Sequence, residues 1–185
     1  EIIAYLDDNR EWEKSDIPAN LLTCINYAFA KIEGVQVIGH LKKIQIINTL
    51  KKEHPHLKTC ISIGGWGADG FSEAVSSEEK REEFITSIIS YIKTYDFDGI
   101  DLDWEYPGKD IAAIKSSSED SKNFLYFVEE LRQRLDQETS FNNKKYLLTA
   151  AIGASRELLD TMSVDHQFQY IEYFDYVNVL PYDKR

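Results

Sequence analysis

The sequence predicts an α/β chain built on a parallel sheet, and three observations carry that prediction. Short β-branched and aromatic runs alternate with longer stretches along the whole chain. The longer stretches repeat their apolar residues at helical spacing, three and four positions apart. No interdomain linker, solenoid-period repeat or low-complexity tract interrupts the 185 residues, so the alternation belongs to one domain, residues 1–185.

In chain order, the first strand is Ile2 to Leu6. The polar, Pro-containing segment from Asp7 to Asn20 follows as a loop with at most a short helical turn. Thr23 to Ala30 is the second strand. A helix over Leu41 to Glu53 carries Ile44, Ile47 and Leu50 and stops before His54-Pro55, because the residue preceding proline is pushed out of the helical region. Leu57 to Ile63 is the third strand. The strongest helix runs from about Ser77 to Tyr95, with Phe84, Ile85, Ile88, Ile89 and Ile92 in one stripe, and Ser76 with Glu79 forms a capping box at its start. Phe97 to Trp104 is the fourth strand. After the loop of Ser116 to Ser118, a helix from Asp120 to Gln137 shows Phe124, Phe127, Val128, Leu131 and Leu135 on one face. Tyr146 to Ile152 and Tyr173 to Leu180 are the fifth and sixth strands. Six strands with alternating helices fit either a doubly wound open sheet or most of a (β/α)8 barrel, which needs about 250 residues when complete.

Composition narrows the function classes. With 32 acids against 21 bases and a net charge of −11, the chain lacks the concentrated basic face that phosphate backbones require, which argues against a nucleic-acid partner. Its longest apolar runs are about five residues, far below the roughly 20 needed for a membrane span. The first residues show no basic n-region or long apolar h-region, so no signal peptide is visible. Cys24 and Cys60 are too few for a disulfide scaffold and fit no zinc spacing; they read as buried thiols, bridgeable if their strands are neighbours. His40, His54, His56 and His166 lie away from every motif and read as surface residues.

The informative segment is "FDGIDLDWEYP", Phe97 to Pro107. Read as a strand, its period of two puts Asp101, Asp103 and Glu105 on one face and Ile100, Leu102 and Trp104 on the other. Neighbouring carboxyls on one face lie about 6.5–7 Å apart along the backbone, and in a partly buried site all three cannot be ionised cheaply. At least one therefore holds a proton near neutral pH, and a protonated acid beside an ionised one is the requirement of general acid catalysis. Acids near a strand end also commonly cap the next helix, face water or hold a hard cation. The apolar residues between these acids and the flanking helices weigh against open solvent, and no further acid cluster lies nearby in sequence to complete a metal site.

These residues resemble the D-x-x-D-x-D-x-E signature of family 18 glycoside hydrolases, the chitinase family, in "DGIDLDWE" (Asp98 to Glu105) with its Tyr-Pro continuation. "SIGGW" (Ser62 to Trp66) is similar to the family's S-x-G-G element, "INYAFA" (Ile25 to Ala30) resembles its second strand, and "VNVLPYD" (Val177 to Asp183) resembles the M-x-Y-D ending of its sixth. All four occur in the family's order. The resemblance implies a (β/α)8 TIM-type barrel, of which this chain holds about the first six strands, with chemistry at the strand ends. It implies that Glu105 protonates the glycosidic oxygen and later activates water. Asp103 would hydrogen-bond the substrate acetamido N–H, Asp101 would bias Asp103, and Tyr182 would bond the acetamido carbonyl. Asp183 would help bind the sugar, with Asp98 and Gly99 structural at the start of the strand and Ser62, Gly64 and Gly65 shaping its surroundings. Sugar rings stack on aromatic faces, so Tyr5, Phe29, Trp66 and Trp104 are candidate walls of the cleft, each with a plain core reading as well, and Tyr106, Trp12 and Phe71 are weaker loop candidates.

The activity implied is hydrolysis of β-1,4-linked N-acetylglucosamine polymers, chitin or its oligosaccharides, retaining and substrate-assisted through an oxazolinium ion, with no cofactor and no metal. It implies an extracellular or cell-surface location. A related hydrolase of N-glycan chitobiose or peptidoglycan is the nearest alternative. A chitinase-like lectin is the alternative from another class, and Glu105, typically lost in such lectins, is present. Two departures stand out: Leu180-Pro181 precedes Tyr182 where the family has Met and a small residue, and strands seven and eight are missing. The expectation is therefore a piece of a longer protein, or a chain that completes its barrel by self-association.

Overall fold

The computed structural model describes residues 1–165 and 167–180. Its sheet runs in the order β1 (Ile3–Asp7), β2 (Cys24–Glu33), β4 (Lys58–Gly64), β5 (Gly99–Asp103), β6 (Leu147–Gly153) and β7 (Tyr176–Leu180), every neighbouring pair parallel. A short strand, β3 (Gln36–Ile38), folds back antiparallel on the end of β2. Helices α1 (Ile44–Glu53), α2 (Phe71–Ala74), α3 (Glu78–Thr94), α4 (Asp120–Asn142) and α5 (Arg156–Met162) fill the crossovers. The six parallel strands are those expected from sequence, and they form an incomplete (β/α) barrel. Asn178 on β7 reaches the hydroxyl of Tyr5 on β1 at 3.2 Å, so the sheet curls until its first and last strands share a side-chain contact.

One core lies between the sheet and the helices. Phe84 of α3 stacks on Phe127 of α4, with centroids 5.1 Å apart, in the same buried cluster as Ile100 and Leu102 of β5. The stripes predicted for α3 and α4 are the buried ones. Arg81 of α3 locks the two helices together through Glu130, at 2.9 Å.

Several boundaries differ from expectation for local reasons. The cap of α3 is Ser77, whose side chain accepts from Lys80 N, while the Ser76 hydroxyl is engaged with Glu73 O at 2.8 Å. Helix α4 runs past Gln137 and stops where Asn143 turns left-handed, at φ 55°. Strand β5 ends at Asp103, so Glu105 lies just beyond the ladder. The β2–β3 hairpin and α5 were not expected: Gly34 at φ 61° turns the first, and Ser155 caps the second by accepting from Leu158 N. The segment 7–20 is a loop with one 3-10 turn, Lys14–Asp16, as expected.

Candidate active site

Strand β5 is anchored at its start by Asp98. Its carboxylate accepts from Thr59 N at 3.0 Å and meets Lys51 and Lys144, each at 3.2 Å. Burial works against the Lys144 ammonium, yet Asp98 and Asp96 outweigh it and hold its pKa above the ordinary value. Gly99 follows because no side chain fits: a Cβ there would lie 2.3 Å from the carbonyl oxygen of Leu147 on β6. Asp98 thus ties the start of β5 to β4 and to two lysines, and Gly99 lets β6 approach β5 closely.

Asp101 is fully buried. Register places it beside Ser62 of β4 and Thr149 of β6, and both hydroxyls donate to it, Ser62 at 2.8 Å to Oδ2 and Thr149 at 2.6 Å to Oδ1. Tyr5 reaches across from β1 and donates to the same Oδ2 at 2.9 Å. Burial raises the Asp101 pKa above its ordinary value, and the bonds from Thr149, Ser62, Tyr5 and Asn178 offset only part of that shift. The Tyr5 phenol is likewise pushed far up, first by burial and then by the charge of Asp101, so it stays a donor.

Asp103 closes the strand, 5% exposed, and Glu105 follows, 6% exposed. The acidic face therefore points into the protein, as the sequence indicated. Gly64 sits opposite Asp103 at φ +117°, where a Cβ would lie 2.0 Å from the Asp103 carbonyl oxygen. Gly65 continues the turn, donates its N–H to that carbonyl at 2.9 Å and leaves room for the Phe29 ring. The S-x-G-G element thus supplies one donor to Asp101 and two close approaches around Asp103. Asp120, at the start of α4 and fully buried, accepts from Ser72, Gly108 N and Ser117 N, tying the loop after Glu105 to α2.

The aromatic candidates divide. Trp66 is 64% exposed beside Gly65, Tyr5 is partly open, and Phe29 lies at the irregularity of β2 between Ala28 and Ala30, half-buried. Trp104 is corrected: its indole stacks on Phe71 at 5.2 Å and meets Phe124 edge-on, inside the helical layer, where no sugar can reach. Phe71 is a core residue for the same reason. Tyr106 is also corrected, being 1% exposed with its hydroxyl donating to Glu105 Oε2 at 3.2 Å; it contacts the acid and is no open wall. Trp12 is tied into the loop after β1 by a bond to Asp7 O. Tyr182, Asp183 and Pro181 lie outside the described residues. Cys24 and Cys60 are free, buried thiols with sulfurs 3.9 Å apart.

Sequence reasoning missed Thr149, Asn178, Asp120 and Lys31. The last lies at the end of β2, where its ammonium donates to Gly64 O at 2.7 Å. A polar residue within an otherwise apolar strand was the available signal for Thr149. Among the described residues no cluster of three or more His, Cys, Asp or Glu is disposed to hold a metal ion, and no helix is long and apolar enough to cross a membrane. A buried carboxyl with raised pKa, a second carboxyl two residues on and a third past the strand end form a graded set suited to proton transfer.

The chain is 34% identical to Chitotriosidase-1 of Mus musculus over 176 residues, covering 91% of this chain and 36% of that protein. It is 35% identical to "Probable chitinase 2" of Drosophila melanogaster over 194 residues, covering 97% of this chain and 38% of the relative. It therefore spans a little over a third of the length of these relatives. The structure superposes on Chitinase ChiW from Paenibacillus sp. str. FPU-7 with a TM-score of 0.88 and 32% identity, over 96% of this chain and 24% of that one. The model of the family described as Glycosyl hydrolases family 18 matches residues 1–185, and the chain belongs to that family.

Proposed function

We propose that the protein carrying this chain hydrolyses β-1,4-linked N-acetylglucosamine chains, as chitin or chitooligosaccharides, outside the cell or at its surface. The observation that carries the reading is the order of the three carboxyls at the end of β5: Asp101 sealed beneath three hydroxyls, Asp103 at the strand end and Glu105 two residues beyond, all three buried. In this reading Glu105 delivers its proton to the glycosidic oxygen as the bond from that oxygen to the anomeric carbon breaks. The 2-acetamido oxygen of the same sugar bonds to the anomeric carbon, giving an oxazolinium ion. Asp103 accepts from the acetamido N–H and balances the positive charge. Glu105, now a carboxylate, takes a proton from water as that water opens the ring, so the anomeric configuration is retained. Asp101 keeps Asp103 oriented, and Tyr182 and Asp183 complete the sugar subsite.

The geometry supports substrate assistance because one acid/base and one orienting carboxylate suffice for it, and the two stand two residues apart, Asp103 at the end of β5 and Glu105 just past it. The test is early-time proton NMR of product anomers with N-acetylglucosamine oligomers and with oligomers N-deacetylated at the cleaved sugar. The β-anomer from the first and no cleavage of the second is the expected result. The α-anomer, or equal cleavage of both, overturns the mechanism; binding without cleavage replaces hydrolase by lectin.

A further inference from the structure

Cys24 and Cys60 have no part in the chemistry above, yet their arrangement is specific. Both are buried, Cys24 at 3% exposure and Cys60 at 0%, on the neighbouring parallel strands β2 and β4. Register pairs Cys24 with Lys58 and Cys60 with Asn26, so the two cysteines are offset by two residues along the sheet. Two residues of rise and one strand spacing put their Cα atoms about 8 Å apart. A disulfide tolerates no more than about 7 Å between Cα atoms. The strands are neighbours, but the offset keeps the pair from closing a bridge, and both remain thiols.

The same offset turns the side chains toward each other. Cys24 Sγ lies 3.9 Å from Cys60 Sγ and 3.6 Å from Oδ1 of Asn26, the fully buried residue that register sets beside Cys60. A tetrahedral metal held by two sulfurs at about 2.3 Å and an oxygen at about 2.1 Å keeps the sulfurs about 3.8 Å apart and a sulfur about 3.6 Å from the oxygen. Both separations are matched. Asn26 Nδ2 has no hydrogen-bond partner among the described residues and offers a donor to a water in the fourth position.

We propose that Cys24, Cys60 and Asn26 form a binding site for a thiophilic divalent cation of the zinc class, with two thiolates and one amide oxygen as its protein ligands. Each thiol releases its proton to solvent as its sulfur bonds to the metal, so one divalent cation replaces two protons and the net charge of the site is unchanged. That balance matters because an uncompensated charge so deep in the sheet is costly. Sulfur ligands select the zinc class over calcium or magnesium, which take oxygen. The third ligand is an amide, so the site differs in kind from a cluster of three or more His, Cys, Asp or Glu, of which the described residues hold none. Bound there, the cation ties β2, which leads to Phe29, to β4, which leads to Ser62 and Gly64. The inference is independent of the role given to Glu105.

The experiment uses the full-length protein under argon, stripped of metal with a chelator. Cobalt(II) is the probe, because thiolate charge-transfer bands report its sulfur ligands and its visible bands report tetrahedral geometry; zinc is then added to displace it. The metal is supplied both to the folded protein and during refolding from denaturant, so that burial of the thiols cannot conceal the site. The parent should bind one cobalt that is absent from Cys24→Ala and from Cys60→Ala, and zinc should displace it. Each alanine should weaken binding by more than about 100-fold, beyond the 10–100-fold that loss of an outer partner costs. X-ray absorption of the zinc-loaded parent, which depends on no variant, should show two sulfurs and two lighter ligands. A cobalt spectrum without thiolate bands, or equal binding by the parent and both variants, overturns the proposal. So does a Cys24–Cys60 disulfide found by peptide mapping after exposure to oxidised glutathione.

Discussion

Asn178 donates to the hydroxyl of Tyr5 at 3.2 Å across 173 residues of sequence, and Tyr5 donates in turn to Asp101 at 2.9 Å. The first, fourth and sixth parallel strands thus meet at one carboxyl in the middle of the sheet's concave side. Ser62 and Thr149 bring the two strands flanking β5 to the same group. A carboxyl so enclosed is a poor nucleophile and a poor proton donor to substrate, and a good fixed reference for the acid above it.

Asp101 should make the stability of the protein depend on pH in a definite direction. Burial raises its folded-state pKa above the unfolded value, so between about pH 4 and the raised value the folded protein binds more protons than the unfolded one. Its contribution is complete below that window and is lost as pH rises through the folded-state pKa. Denaturant titrations of the parent protein and Asp101→Asn at pH 4 and pH 8 should show the variant gaining on the parent at the higher pH. The opposite trend would contradict the burial argument.

Gly64→Ala should be severely destabilising. The new Cβ would meet the Asp103 carbonyl at 2.0 Å from a backbone at φ +117°, and neither strand can yield without breaking the β4–β5 ladder. A loss above about 3 kcal/mol is expected from the clash and the strained backbone together. Chemical denaturation measures it, and parent-like stability would show that β4 and β5 can separate at Asp103.

Asp98→Ala removes the shared partner of Lys51, Lys144 and Thr59 N at the start of β5. Breaking a buried pair of this kind costs about 3 kcal/mol, somewhat less here because Lys144 is a third exposed. The expected result is a lower denaturation midpoint with the slope unchanged. No change in midpoint would mean that the two lysines are satisfied elsewhere.

Trp66→Ala separates binding from folding. At 64% exposure the indole contributes little to the core, so stability should move by less than about 0.5 kcal/mol. Affinity for N-acetylglucosamine oligomers should drop roughly tenfold, the loss of one aromatic stacking face. Calorimetric titration gives the number, and unchanged affinity removes Trp66 from the cleft.

What the sequence disclosed follows from the range over which each cause acts. The helical stripes of α3 and α4, and the alternation that put Asp101 and Asp103 on one side of β5, are local periodicities, and the structure reproduces them. The same alternation put Trp104 opposite the acids, and Trp104 indeed lies among Phe71 and Phe124. Its placement as a sugar wall came from aromatic chemistry alone and was wrong. Thr149 and Asn178 act on Asp101 through register and curvature, which depend on how distant strands align. Lys31 carries a similar lesson, since only the pairing of β2 with β4 brings its ammonium to the Gly64 carbonyl. The hairpin at Gly34 extends β2 three residues beyond the Ala30 expected from sequence, with the glycine at the turn as its local signal.

The most direct measurement is cleavage of N-acetylglucosamine oligomers by the full-length protein and by its Glu105→Gln variant, with binding of the same oligomers recorded for both. The glutamine keeps the side-chain volume and removes the proton that leaves with the glycosidic oxygen. Cleavage should fall by a factor of roughly 10²–10⁴ while binding persists, the loss expected for one general acid. A folded Glu105→Gln protein that cleaves as fast as the parent would contradict the account.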